Sequence, residues 1–98
     1  MKYIISESRL DAIMKNYLDS SLLNKEIIDN QAGIAVYDDE EDYIFIYLQY
    51  LPKKRELFIL KEFLDDFEAM FGLTRQEAVR FITNWFENEF YVKVHMAG

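Results

Sequence analysis

The side chains able to do chemistry in this chain are few, and their spacing limits what they can do. Asp38-Asp39-Glu40-Glu41-Asp42 is the densest group of oxygen donors. A calcium loop of the helix-loop-helix kind needs alternating oxygen ligands, a central glycine and a closing glutamate over about twelve residues. None of that spacing is present, and no metal is expected. Adjacent like charges repel and stay solvated, so the run reads as a polar hairpin tip. It is an acidic patch that could also imitate nucleic-acid phosphates toward a basic partner. His95 is the only histidine and there is no cysteine, which leaves no nitrogen–sulfur metal set and no thiol nucleophile. Ser20-Ser21 lacks the Gly-x-Ser-x-Gly elbow. Asp65 and Asp66, adjacent on a helix, face different directions. With 3 glycines in all, a Gly-rich phosphate loop is excluded. The chain is expected not to be an enzyme and to need no cofactor.

What remains is binding, and there the aromatic residues stand out. Seven tyrosines and 8 phenylalanines in 98 residues exceed what one small core should need, and such rings supply large contact area with few rotatable bonds. Tyr43, Phe45 and Tyr47 alternate along one stretch and would share a strand face that Tyr37 could extend. That face admits an RNA-stacking role, core packing, or a protein contact. The basic rim that RNA requires is reduced to Lys53, Lys54, Arg55 and Lys93. A formal charge of −7 disfavours nucleic acid and anionic membranes. Protein partners or self-association are the expected contacts, with the acidic tip able to steer a basic partner.

The elements that must position these residues follow from periodicity. Leu10, Ile13, Met14, Tyr17 and Leu18 form a helical stripe, with Ser6 as its cap and Ile5 facing Leu10 across it; Ser8 with Asp11 is a rival start. A short apolar lead at Lys2–Ile5 suggests a strand, and Asp19-Ser20-Ser21 should end the first helix. Leu22–Asn30 is ambiguous, and Asn30–Gly33 reads as a turn. Ile34–Tyr37 and Tyr43–Leu51 read as a hairpin. The second strand is apolar on both faces: it should be central and covered twice, or covered once with its second face used for contact. Pro52 ends it. Glu56–Leu60 reads as a short strand, followed by a helix over Lys61–Phe71 with Leu60, Phe63, Leu64, Phe67 and Phe71 inward.

Gly72 suits a left-handed helix end. Thr74 and Glu77 then form a capping box for a helix whose stripe is Ala78, Phe81, Ile82, Trp85 and Phe86. Alternation over Phe90–Met96 predicts a half-buried last strand. The helical pair around Gly72 also admits a helix-turn-helix regulator offering Arg75, Gln76, Arg80, Thr83 and Asn84 to a groove, against which stand Glu77, Glu87, Glu89 and the net charge. The sum is a single α+β domain over residues 1–98, three or four antiparallel strands packed by about three helices. The composition is that of a folded domain. No run approaches the ~20 apolar residues of a membrane span, so a soluble intracellular protein is the default.

The opening Met-Lys-Tyr-Ile-Ile-Ser-Glu-Ser resembles the start of many small uncharacterised proteins of tailed bacteriophages, in which a Gln follows where this chain has Arg9. Phe71-Gly72-Leu73-Thr74 with Glu77, Ile82 and Trp85-Phe86-Glu87 resembles the ending of some of them. The two stretches cover about a third of the chain and consist of helix-start and core signals. The resemblance implies a phage origin and a location in the host cytoplasm or the virion, and it brings no catalytic residue. A non-enzymatic interaction module is the resulting expectation, with a nucleic-acid regulator or a small virion component as alternatives.

Overall fold

A computed structural model describes residues 7–98; the expected lead strand at Lys2–Ile5 and the Ser6 cap fall outside them. The element order is α1 (Glu7–Leu22), β1 (Glu26–Asn30), β2 (Gly33–Asp39), β3 (Ile44–Leu51), β4 (Glu56–Ile59), α2 (Lys61–Phe71), α3 (Arg75–Phe90) and β5 (Met96–Ala97). The strands form one sheet in sequence order, antiparallel from β1 to β4 and parallel between β4 and β5. Among the described residues the fold is α+β with three helices, as the periodicities indicate, but the sheet has five strands rather than three or four and is mixed rather than wholly antiparallel, because the chain returns from α3 to add β5 beside β4.

All three helices lie on one face of the sheet. Their buried residues, including Met14, Leu18, Leu22, Phe63, Phe67, Ile82 and Phe86, join one cluster with Ile34, Val36, Leu48, Tyr50, Leu57 and Ile59 from the strands. The first helix does not stop at Asp19: it continues to Leu22, which is fully buried. Asp19 stays helical because its carboxylate accepts a hydrogen bond from Trp85 Nε1 at 2.8 Å, joining α1 to α3. Lys15 one turn earlier donates to the same carboxylate, and both donors hold the Asp19 carboxyl below its ordinary value.

The α2–α3 corner follows the sequence signals closely. Gly72 takes φ 64°, ψ 38°, and the Leu73 N–H reaches back to the Glu68 carbonyl at 3.0 Å, a Schellman arrangement that satisfies a terminal carbonyl. The Thr74 N–H donates to Glu77 Oε1 at 2.9 Å and the Glu77 N–H to Thr74 Oγ1 at 3.2 Å. Glu77, stabilised as an anion by the Thr74 backbone donor, has its pKa lowered. Arg75 forks between Asp65 and Glu68 across the corner.

The C-terminal stretch departs from expectation. Alternation over Phe90–Met96 predicts a strand, yet α3 runs through Phe90, and only Met96–Ala97 pair with β4. Phe90 falls four residues after Phe86 and packs against it, the rings tilted by 37° with centroids 4.7 Å apart, so the helical stripe claims it. Tyr91 then ends the helix in the left-handed region, φ 55°. The following backbone is satisfied without a strand ladder. The Val94 N–H donates to Glu87 Oε2, the His95 N–H donates to the Arg55 carbonyl, and the Lys93 carbonyl accepts from the Tyr50 hydroxyl.

Candidate functional site

The region that stands apart is the outer half of the β2–β3 hairpin, and a β-bulge creates it. Val36 pairs with Leu48 but Tyr37 pairs with Ile46, leaving Tyr47 as an extra residue on β3. An extra residue of this kind locally breaks the two-residue alternation. Leu48 and Tyr47 therefore both face the helices. Leu48 is fully buried, and the Tyr47 ring packs edge-on against Phe63 at 5.9 Å. Beyond the bulge, Phe45 pairs with Asp38 on the helix-bearing side, while Ile46 and Ile44 pair with Tyr37 and Asp39 on the other.

The helices do not reach this far. Tyr43, Ile44, Phe45 and Ile46 are each between 41% and 60% exposed. Four consecutive large apolar residues thus meet solvent on both faces of one strand end. Isolated exposed apolar residues are ordinary, whereas a contiguous group marks a contact surface. Tyr43 and Phe45 brace each other edge-to-face at 4.7 Å, which holds the pair in one orientation before any partner arrives.

Tyr43, Phe45 and Tyr47 do share a face, as their spacing implies, but it is the helix-bearing face. Tyr47 is half-buried at the rim of the core, and Tyr43 and Phe45 overhang it. Tyr37, expected to extend that row, points to the opposite face beside Ile46. The acidic run is likewise divided. β2 continues through Asp39, and Glu40–Tyr43 make the turn, closed by the Glu40 N–H donating to the Tyr43 carbonyl at 2.9 Å. Asp38 belongs to the strand: it accepts from the Tyr47 hydroxyl at 2.8 Å and pairs with Lys25 at 3.3 Å, and Lys25 lies over the Tyr47 ring. The Asp38 carboxylate, with burial second, raises the Tyr47 pKa to about 12. Asp39, Glu40, Glu41 and Asp42 are exposed. Sequence alone missed Lys25 and Asp38 as the clamp behind Tyr47, because the signal is a pairing between β2, β3 and the α1–β1 link.

Other candidates are occupied or dispersed. Ser20 Oγ donates to the Asn16 carbonyl within its own helix. Asp65 is paired with Lys61 and Arg75, and the Lys61 donor leads the lowering of its pKa. His95 is exposed in the irregular stretch before β5. Of the residues a recognition helix would present, Arg75 is held by its two acids and Thr83 Oγ1 donates to the Val79 carbonyl at 2.6 Å. Gln76, Arg80 and Asn84 line an open groove of about 600 Å³ that Ala97 and Gly98 border. Among the described residues no group of His, Cys, Asp and Glu is placed to hold a metal ion, and no helix is long and apolar enough to cross a membrane. Comparison with family models, curated protein sequences and solved structures gave no match to this chain.

Proposed function

We propose that the protein is a non-enzymatic interaction module that binds protein, another copy or a different chain, through the outer half of the β2–β3 hairpin. The observation that carries this reading is the exposed run Tyr43–Ile46, apolar on both faces of a strand. Burying such a patch against a partner would stabilise a complex by about 25 cal/mol per Å² of apolar surface removed from water, before the costs of association. The Tyr43–Phe45 brace and the Lys25–Asp38–Tyr47 clamp support it by pre-ordering the surface. A phage origin and a place in the host cytoplasm or virion are what the N-terminal resemblance implies for where that partner would be met.

The test is a photo-crosslinking residue placed at position 44, on the same face as Ile46 and 60% exposed, with position 91 as an exposed control outside the patch. A discrete adduct from position 44 that is absent from position 91, and that Ile46→Glu removes, is the expected result. Equal labelling from both positions, or none from position 44, would overturn the reading. Phe45→Glu alone should leave the fold intact, because the ring is already half in water.

A further inference from the structure

Among the described residues, nothing covers the face of the sheet opposite the helices. Strand register places Ile28 of β1, Ala35 and Tyr37 of β2, Ile44, Ile46 and Leu51 of β3, and Phe58 of β4 on it. Charge is distributed unevenly along this face. Asp39, Glu40, Glu41 and Asp42 lie at the end where β3 begins, and Lys53, Lys54 and Arg55 at the end where it finishes. An eight-residue strand separates the two groups by roughly 25 Å at about 3.3 Å per residue. Neither group has an ion-pair partner among the described residues.

We propose that a second copy of this chain covers that face, with the two β3 strands antiparallel across the interface, so that the acidic tip of each copy lies over the basic turn of the other. This rests on the interaction reading above and names its partner. A two-fold axis midway between the copies, parallel to the sheets and perpendicular to the strands, produces the arrangement, and such an interface is self-complementary by symmetry. The same operation sets Glu26 and Asp39 over the far ends of the partner's β1 and β2, so no acid faces its own copy. An axis along the strands would instead stack acidic tip on acidic tip, which like charge forbids. Sheets pack face to face with strands about 30° from alignment, within what the tip-to-turn contact allows.

Area supports including both charged ends. Four strands of 5, 7, 8 and 4 residues, at about 3.3 Å per residue and about 4.8 Å apart, give a plan area of roughly 400 Å², half of the ~800 Å² per partner of a standard interface. The two turns supply the remainder, so the charges belong to the contact and set its register.

Sedimentation of the full chain over a concentration series, with two charge-reversed variants, tests this. The unsubstituted chain should dimerise. K53E/K54E and E40K/E41K should each raise the dimer dissociation constant at least about tenfold. An equimolar mixture of the two variants should recover a heterodimer, because each then meets its complement at both ends. A monomer at all concentrations overturns the proposal, as does a dimer indifferent to both reversals or a mixture that fails to recover. A monomer whose position 44 still crosslinks to another protein overturns only the second copy; a monomer with no adduct overturns the interaction reading as well.

Discussion

The two halves of β3 are made of the same kinds of residue and do different work. Leu48 and Tyr50 are core, against Val36, Leu57 and the helices, while Ile44 and Ile46 stand in solvent four and two residues earlier on the same strand. Composition does not separate the halves; coverage does. The helices cover only the Leu48–Tyr50 side of the bulge, and hydrophobic residues outside that cover stabilise the fold little. A residue's hydrophobicity states what burial would gain, and the neighbouring elements decide whether burial happens.

Paired truncations break or sharpen this contrast. Leu48→Ala should cost about 2–5 kcal/mol, the range for a buried leucine, and Ile44→Ala less than about 1 kcal/mol, as for surface positions, both read from urea unfolding below the concentration at which any self-association occurs. Similar costs would mean that the outer hairpin is covered after all. The next largest effect is Gly33→Ala. At φ 144° a Cβ would sit 2.3 Å from the Tyr50 carbonyl oxygen, so β2 must shift from the covered half of β3. A loss greater than about 1 kcal/mol is expected, and unchanged stability would show that this end of the sheet is looser than its packing implies.

Much of the covered half is legible in the sequence. The Gly72 corner, the Thr74–Glu77 box and the stripe from Ala78 to Phe86 each follow from local chemistry, and local chemistry is what sequence encodes directly. The outer half is not. Alternation puts Leu48 with Ile44 and Ile46, and Tyr47 with Tyr43 and Phe45, and the bulge moves Leu48 to the aromatic side. A bulge depends on how two strands pair, which neither strand announces alone. Phe90–Met96 misleads for a related reason: Phe90, Val92 and Val94 alternate, but packing on Phe86 and the Glu87 carboxylate claim the segment first. β1 lies in a stretch with no clear period, and its edge position needs only the β2 ladder to define it.

Titration separates the two halves from the other direction. Tyr47, at the boundary, has a folded pKa of about 12 against an ordinary 10.0. A raised folded pKa means that its contribution is complete below pH 10 and is lost as pH rises from about 10 to about 12. Tyr47→Phe should flatten that alkaline decline in unfolding experiments. Asp19, on the covered side, has a lowered pKa from Lys15 and Trp85. Its contribution is present above the ordinary carboxylate value of 3.8 and is lost as pH falls through its folded pKa. Asp19→Asn should shallow the acid limb, read by Trp85 fluorescence. A decline unchanged by either substitution would remove the corresponding contact from the account.

The smallest effect belongs to neither half. Tyr91 is 93% exposed and left-handed, φ 55°, a conformation that costs a non-glycine residue about 1 kcal/mol. Tyr91→Gly should stabilise by up to that amount in thermal unfolding, with no change in association. A loss of stability would mean that the ring has a folded-state contact.

The bulge at Tyr47 also sets what the strand can tolerate in length. Pairing on either side of Tyr47 is regular, so removing that one residue would leave Ile44 and Ile46 outward and Leu48 inward, at the loss of the Phe63 and Asp38 contacts. Removing Ile46 or Phe45 instead would turn a side chain over: with the bulge kept, the stretch before the gap exchanges its two surfaces, and with the bulge absorbed, Tyr47 swings to the outer face opposite Tyr37. Tyr47 is thus a splice point, the one place along this part of β3 where the chain can shorten and still show each neighbour the same side.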